Sequence, residues 1–172
     1  MALELNGTTG VSAVQAGSIQ SDDLAAGVGG KVLQVASTLT SSSNLTITSS
    51  SNVDVPEMEV TIVPQKTNSL ILVVAVFAVE INGSGDIWAT FRIVNPSTVS
   101  LDGAGDFVSN RMRNTSGDRI VHANTLIGRD EPNTTSSITY RLQAGIFGGS
   151  SNLQIRNSNT GGGQMYAVEV SP

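Results

Sequence analysis

From Lys31 to the end of the chain, apolar and polar residues alternate in short runs separated by turn chemistry. A period of two marks strands with one face buried. Lys31–Ser37 alternates, Ser41–Asn44 is a polar turn, and Leu45–Thr48 is a short strand. Val53–Val63 alternates after Pro56, with Met58, Val60 and Ile62 on one face, and Pro64–Asn68 turns the chain. Further strands are predicted over Ser69–Ile81, Asp86–Val94, Phe107–Met112, Ile120–Ile127, Ser137–Phe147, Leu153–Arg156 and Met165–Val170. Asn82-Gly83-Ser84-Gly85 fits a hairpin loop, and the other breaks carry Asn-Pro, Gly-Gly or Ser/Asn clusters. Roughly eight to ten strands with no long helix predict an all-β fold. An antiparallel β-sandwich of jelly-roll-like topology accommodates them.

Residues 1–30 sustain neither a helical nor a strand period. Their apolar residues, Leu3, Leu5, Val11, Val14, Ile19 and Leu24, are scattered singly. One helical turn fits at Ser21–Gly27: Ser21 as N-cap, Asp22 and Asp23 in the first turn, Gly27 as the stop. Such a segment buries no core of its own. Fully extended it reaches about 100 Å. The chain therefore divides into an extended N-terminal arm, 1–30, and a β-sandwich domain, 31–172. An arm laid on a partner, an intertwined stalk and a disordered tail are the three readings of that segment. Its scattered apolar residues are the candidate attachment points.

The segment Ser69–Ile81 breaks the alternation. Leu70, Leu72, Val74, Val76 and Ala78 lie on one face, and Ile71, Val73, Ala75, Phe77, Val79 and Ile81 on the other. An antiparallel sandwich strand normally keeps one polar face for water. Two apolar faces require two covers. The opposite sheet supplies one; a loop, the arm or another subunit must supply the second. In Asp86–Val94, Ile87, Ala89, Phe91 and Ile93 form a core face, leaving Trp88, Thr90, Arg92 and Val94 on the other. Trp beside Arg is the composition of an interface centre. Leu70, Leu72, Val74, Val76, Trp88 and Arg92 are thus the candidate subunit-interface residues.

Composition narrows the function. Charged residues are 13% of the chain, about half the usual share, and are replaced by Ser, Thr, Asn and 18 Gly. A net charge of −5 with no basic run argues against nucleic acid. The absence of cysteine excludes disulfides and thiolate metal sites. The longest apolar run, Leu70–Val79, is too short to span a bilayer as a helix, so no membrane insertion is expected. The first ten residues carry no secretory signal pattern. Synthesis in the cytoplasm is expected.

Candidate chemistry is sparse. His122 is the single histidine and falls on a strand with no second ligand for a metal. Asp102-Gly-Ala-Gly-Asp106 offers oxygens for calcium but lacks a calcium-motif spacing, and reads better as a turn. Asp130 and Glu131 are adjacent and point apart on a strand. Arg111, Arg113 and Arg119 form a local excess of positive charge, suited to solvent, a neighbour's carboxylates or an anionic glycan. Gly148-Gly149 and Gly161–Gly163 precede no Lys-bearing helix and are turns, not phosphate loops. Tyr140 and Phe147 fit core positions, which leaves few aromatics for stacking sugars. No acid/base pair is visible, so no enzyme and no cofactor are expected.

The opening LNGTTGVSAVQAGSIQSDDLAAGVGGKVLQV resembles a segment of tail-fibre and other virion proteins of tailed bacteriophages, notably cyanobacterial phages. The "VDV" start at Val53, VTIVPQKTNSLILV at Val60–Val73 (read as a hairpin), the strand Ile138–Ile146 and the closing Tyr166–Val170 extend the likeness over most of the chain. The resemblance implies a non-enzymatic virion protein: a homotrimeric, fibre-like appendage or a capsid decoration held by its N-terminal segment. It implies other virion proteins, of capsid or tail, as partners. A receptor-reading module binding host-surface glycan is the alternative.

Overall fold

A computed structural model describes residues 31–39, 44–84, 86–105, 111–115, 118–147, 150–155 and 162–171. The arm residues Leu3 to Leu24, and the helical turn expected at Ser21–Gly27, lie outside the described residues. Ten strands follow in chain order: β1 Val32–Leu39, β2 Leu45–Ile47, β3 Val53–Ile62, β4 Leu70–Ser84, β5 Ile87–Val94, β6 Arg111–Asn114, β7 Ile120–Asp130, β8 Ile138–Phe147, β9 Ser150–Ile155 and β10 Gln164–Val170. No helix occurs among the described residues.

β4 organises the larger sheet. β7 occupies one of its edges from Ile71 to Ile81, in unbroken antiparallel register. The other edge is shared: β10 pairs with Leu70–Val76 and β9 with Val79–Ser84. β1 then pairs outside β10, and β2 outside β9. β1 with β2, and β9 with β10, are therefore two long strands, each interrupted beside the middle of β4. The second sheet runs β3-β8-β5-β6. Counting each interrupted strand once leaves two four-stranded antiparallel sheets. Of the connections between these eight strands, only β5–β6 stays within one sheet. That is a jelly roll, as the strand pattern predicts.

The alternation of the sequence becomes the core. From β4, Ile71, Val73, Ala75, Phe77, Val79 and Ile81 point inward and are buried; they meet Ile87, Ala89, Phe91 and Ile93 of β5 and Tyr140 and Leu142 of β8. Phe77 and Phe91 join the sheets with ring centroids 5.2 Å apart, tilted by 56°, a geometry aromatic pairs favour.

Three local expectations are corrected. Asn82–Ser84 continues β4, because β9 supplies ladder partners out to Ser84; it is not a hairpin loop. Val60–Val73 is not a hairpin either, since β3 and β4 lie in different sheets. The turn between them is tied down by Glu169, which is fully buried at the inward end of β10. Its carboxylate accepts hydrogen bonds from Ser69 Oγ at 2.6 Å, Gln34 Nε2 at 2.6 Å, and the backbone N–H of Gln65 at 2.8 Å and Lys66 at 3.2 Å. Burial alone would raise this carboxyl. The four donors outweigh it and hold it below the usual carboxylate range. Phe147, read as core, points outward: it pairs with Trp88, whereas its neighbour Ile146 is buried.

Candidate functional site

The outward face of the larger sheet is built from rows of cross-strand neighbours. One row is Leu39, Gln164, Val76 and Thr125; the next is Ser37, Tyr166, Val74 and Ile127; then Val35, Val168, Leu72 and Arg129; then Val32, Val170 and Leu70. Each residue follows from the strand period, because its chain neighbours supply the core. Apolar side chains dominate these rows, and they are open: Leu39 is 70% exposed, Val35 58%, Ile127 56% and Val76 39%. Leu70, Leu72 and Val74 are half-buried among them. The single formal charge in the four rows is Arg129, whose guanidinium pairs with Glu131. Further along β4 the stripe ends at Glu80, which Arg119 clamps through Nε and a terminal nitrogen, both at 2.8 Å. That hydrogen bond and charge raise the Arg119 guanidinium above its ordinary value.

The opposite outward face, on the smaller sheet, has another chemistry. Arg92 Nε donates to Gln143 Oε1 at 2.8 Å, Gln143 Nε2 to Asp54 at 2.7 Å, and Arg141 to the other Asp54 oxygen at 2.9 Å. Thr90 is buried beneath Asn52, to which its hydroxyl donates at 2.9 Å. A Cβ on the neighbouring Gly145 would stand 2.7 Å from the same Asn52 oxygen, so the β2–β3 segment packs down there because this residue is glycine. This face is a polar ladder in which Arg141 Nε is buried without a hydrogen-bond partner, with Trp88, half-buried beside Phe147, at one end.

The six interface candidates thus divide. Leu70, Leu72, Val74 and Val76 share the apolar face of the larger sheet. Trp88 and Arg92 lie on the far side of the sandwich, and no single flat contact includes all six. Val35, Leu39, Ile127 and Val168 were not among the candidates. Their signal was the outward phase of β1, β7 and β10, which becomes visible only once those strands are placed beside β4.

The other candidate groups hold structural positions. Asp130 accepts from the Tyr140 hydroxyl at 2.8 Å. Burial, then that hydrogen bond and the carboxylate charge, push the phenol up. Asp102 bridges to β7, its carbonyl accepting from Arg129 N–H at 2.9 Å; Asp106 lies outside the described residues. A cleft at this end is lined by Asn95, Val99, Asp102, Arg129, Asp130 and Glu131. His122 is exposed on β7. Among the described residues no group of three or more His, Asp or Glu could hold a metal, and no helix is long and apolar enough to cross a membrane.

No protein-family model matches the chain, and no curated protein sequence does. Two solved structures similar in fold are those titled "Structure of infectious bursal disease virus Gt strain" and "D431N Mutant VP2 Protein of Infectious Bursal Disease Virus; Derived T=1 Particles". Their TM-scores are 0.38 and 0.36, each at 12% identity over 81% of this chain. The chain spans 38% and 40% of their lengths.

Proposed function

We propose that this protein is a non-enzymatic structural component of a virion, and that copies associate through the outward apolar face of the larger sheet. The observation that carries the proposal is the set of rows centred on Leu72, Val74 and Val76. An open apolar surface continuous across four strands marks an interaction site on a soluble protein. Around it the described polar groups tie strand to strand: Arg119 to Glu80, Tyr140 to Asp130 and Arg129 N–H to the Asp102 carbonyl. The bacteriophage assignment is supported by the resemblance of residues 5–35 and of the later strand-and-turn segments. On that reading residues 1–30 anchor the protein to a capsid or tail partner. The homotrimer is the closed form the resemblance implies. The side chains around Arg92 bond chiefly to one another, Arg92 to Gln143 and Gln143 and Arg141 to Asp54, and give the glycan alternative no specific support.

The test is made on purified particles. Mass spectrometry and a virion map are expected to find the chain in fixed copy number at capsid or tail. A Leu72→Asp version is expected to be synthesised and folded yet absent from particles. Finding the wild-type chain in infected cells but not in particles would overturn the assignment.

A further inference from the structure

Among the described residues, β1 alone of the ten strands places no residue fully in the interior. Its contact with the hydrophobic core is made by Ala36, itself only partly buried. β1 is also an edge strand, with β10 as its strand partner. The ladder between them is broken near its start, where a bulge separates Val32 from Gln34 and leaves Leu33 as the extra residue. Few buried contacts and a single ladder mark a segment that opens before the body of a fold does.

What the bulge takes from the ladder, side chains replace. Gln34 Nε2 donates to Glu169 Oε2 at 2.6 Å and to the Val63 carbonyl at 2.5 Å. Gln65 Nε2 donates to the Leu33 carbonyl at 3.4 Å. Glu169 is itself fixed by Ser69 Oγ and by the N–H groups of Gln65 and Lys66. The start of β1 is thus tied at once to β10 and to the turn before β4, and Gln34 is the residue common to both ties. Its bond to Glu169 ends on a charged, buried acceptor and is the strong one. From Gln34 to Leu39 the ladder to β10 is regular.

We propose that β1 is a strap that opens from β10 while the rest of the sandwich stays folded, and that Gln34 is the clasp that holds it shut. The strap bears on assembly, and in that respect the inference rests on the face contact proposed above. β1 supplies the outermost member of every row on the apolar face: Leu39, Ser37, Val35 and Val32. Opening removes all four from the surface. Association through the complete face therefore favours the closed strap, and the closed strap favours association by the same factor. Loosening the clasp weakens assembly without touching Leu72, Val74 or Val76 at the centre of the face.

Hydrogen exchange on full-length Val74→Asp, in which the face contact is removed, reads the strap alone. The β1 amides bonded to β10 are expected to exchange at least about tenfold faster than the bonded amides of β5 and β8. Gln34→Ala is expected to speed β1 by roughly a further tenfold and to leave β5 and β8 unchanged. Exchange of β1 in step with β5 and β8, or a β1 rate indifferent to Gln34→Ala, would overturn the strap. A disulfide staple tests the same motion in reverse. Ala36 and Ala167 are cross-strand partners, with Cα atoms about 4.5–5.5 Å apart, within disulfide range, and no native cysteine competes. Oxidised Ala36→Cys/Ala167→Cys is expected to abolish the fast β1 exchange, with Gln34→Ala present or absent. In the chain that keeps Val74, Gln34→Ala is expected to raise the concentration of half-association several-fold, and the oxidised staple to restore it. Association indifferent to Gln34→Ala would overturn the coupling to assembly. Fast, clasp-dependent β1 exchange beside a wild type that never associates would sink the face contact and leave the strap standing.

Discussion

Glu169 stands on the inward face of β10, in line with Met165 and Ala167, where the strand period calls for an apolar side chain. It is tolerated there because four donors from three other segments converge on it. Glu169→Gln keeps the shape but replaces one acceptor oxygen with an amide that faces a donor. A loss of about 1–3 kcal/mol at neutral pH is expected, read by chemical denaturation. The pH dependence has a definite sign. The folded carboxyl titrates below its unfolded value of about 4.3. Its contribution is therefore full above that pH and fades as pH falls through the lower, folded value. Wild type is expected to lose stability more steeply than Glu169→Gln below about pH 4.3. Parallel acid profiles would show that the carboxylate charge does not matter there.

At the scale of single elements, β4 supplies the sharpest contrast. Val73 and Val74 are the same residue on adjacent positions of one strand. Val73 is fully buried against the opposite sheet, while Val74 lies half-buried between Tyr166 and Ile127 on the outward face. Val73→Asp places an unpaired charge in the core and is expected to cost more than about 4 kcal/mol, enough to unfold a domain of ordinary stability. Val74→Asp is expected to keep the monomer's stability within about 1 kcal/mol and to abolish association. Equal effects on folding would remove the distinction between the two faces.

The strands themselves were legible from period two, because one buried face imposes it wherever the other meets water. What the local pattern could not show was which sheet each strand joins. Pro64–Asn68 reads as a chain reversal and is one. Whether β4 then pairs with β3 or crosses to the other sheet is decided by distant partners, β7, β9 and β10, and by Glu169, some hundred residues away. Phe147 was misread for a related reason. Its phase along β8 is outward, and only pairing with Trp88 half-buries it. The candidate surface was half legible. The excess of apolar residues on β4 was visible, but the rows that extend it are made by three strands separated in sequence. Trp88 and Arg92 had interface composition and instead end up on the far side, the latter within a polar ladder.

For the whole molecule the proposed face contact predicts how assembly responds to salt. Each copy carries a net charge of −5, while the one charge in the apolar rows is Arg129, paired with Glu131. Repulsion between copies is long-ranged at low ionic strength and contracts to about 8 Å at 0.15 M salt. Association is therefore expected to tighten as salt rises from about 0.01 M to 0.15 M. Weakening over that range would point to ion pairs at the contact instead.

The most direct test of the assembly account is the mass of the full-length protein in solution, measured by sedimentation from low to high micromolar concentration beside Val74→Asp. A defined oligomer is expected for the wild type, and for the variant a folded chain that no longer associates through its apolar face. A wild-type protein that sediments as a monomer throughout, with its apolar face open to water, would contradict it.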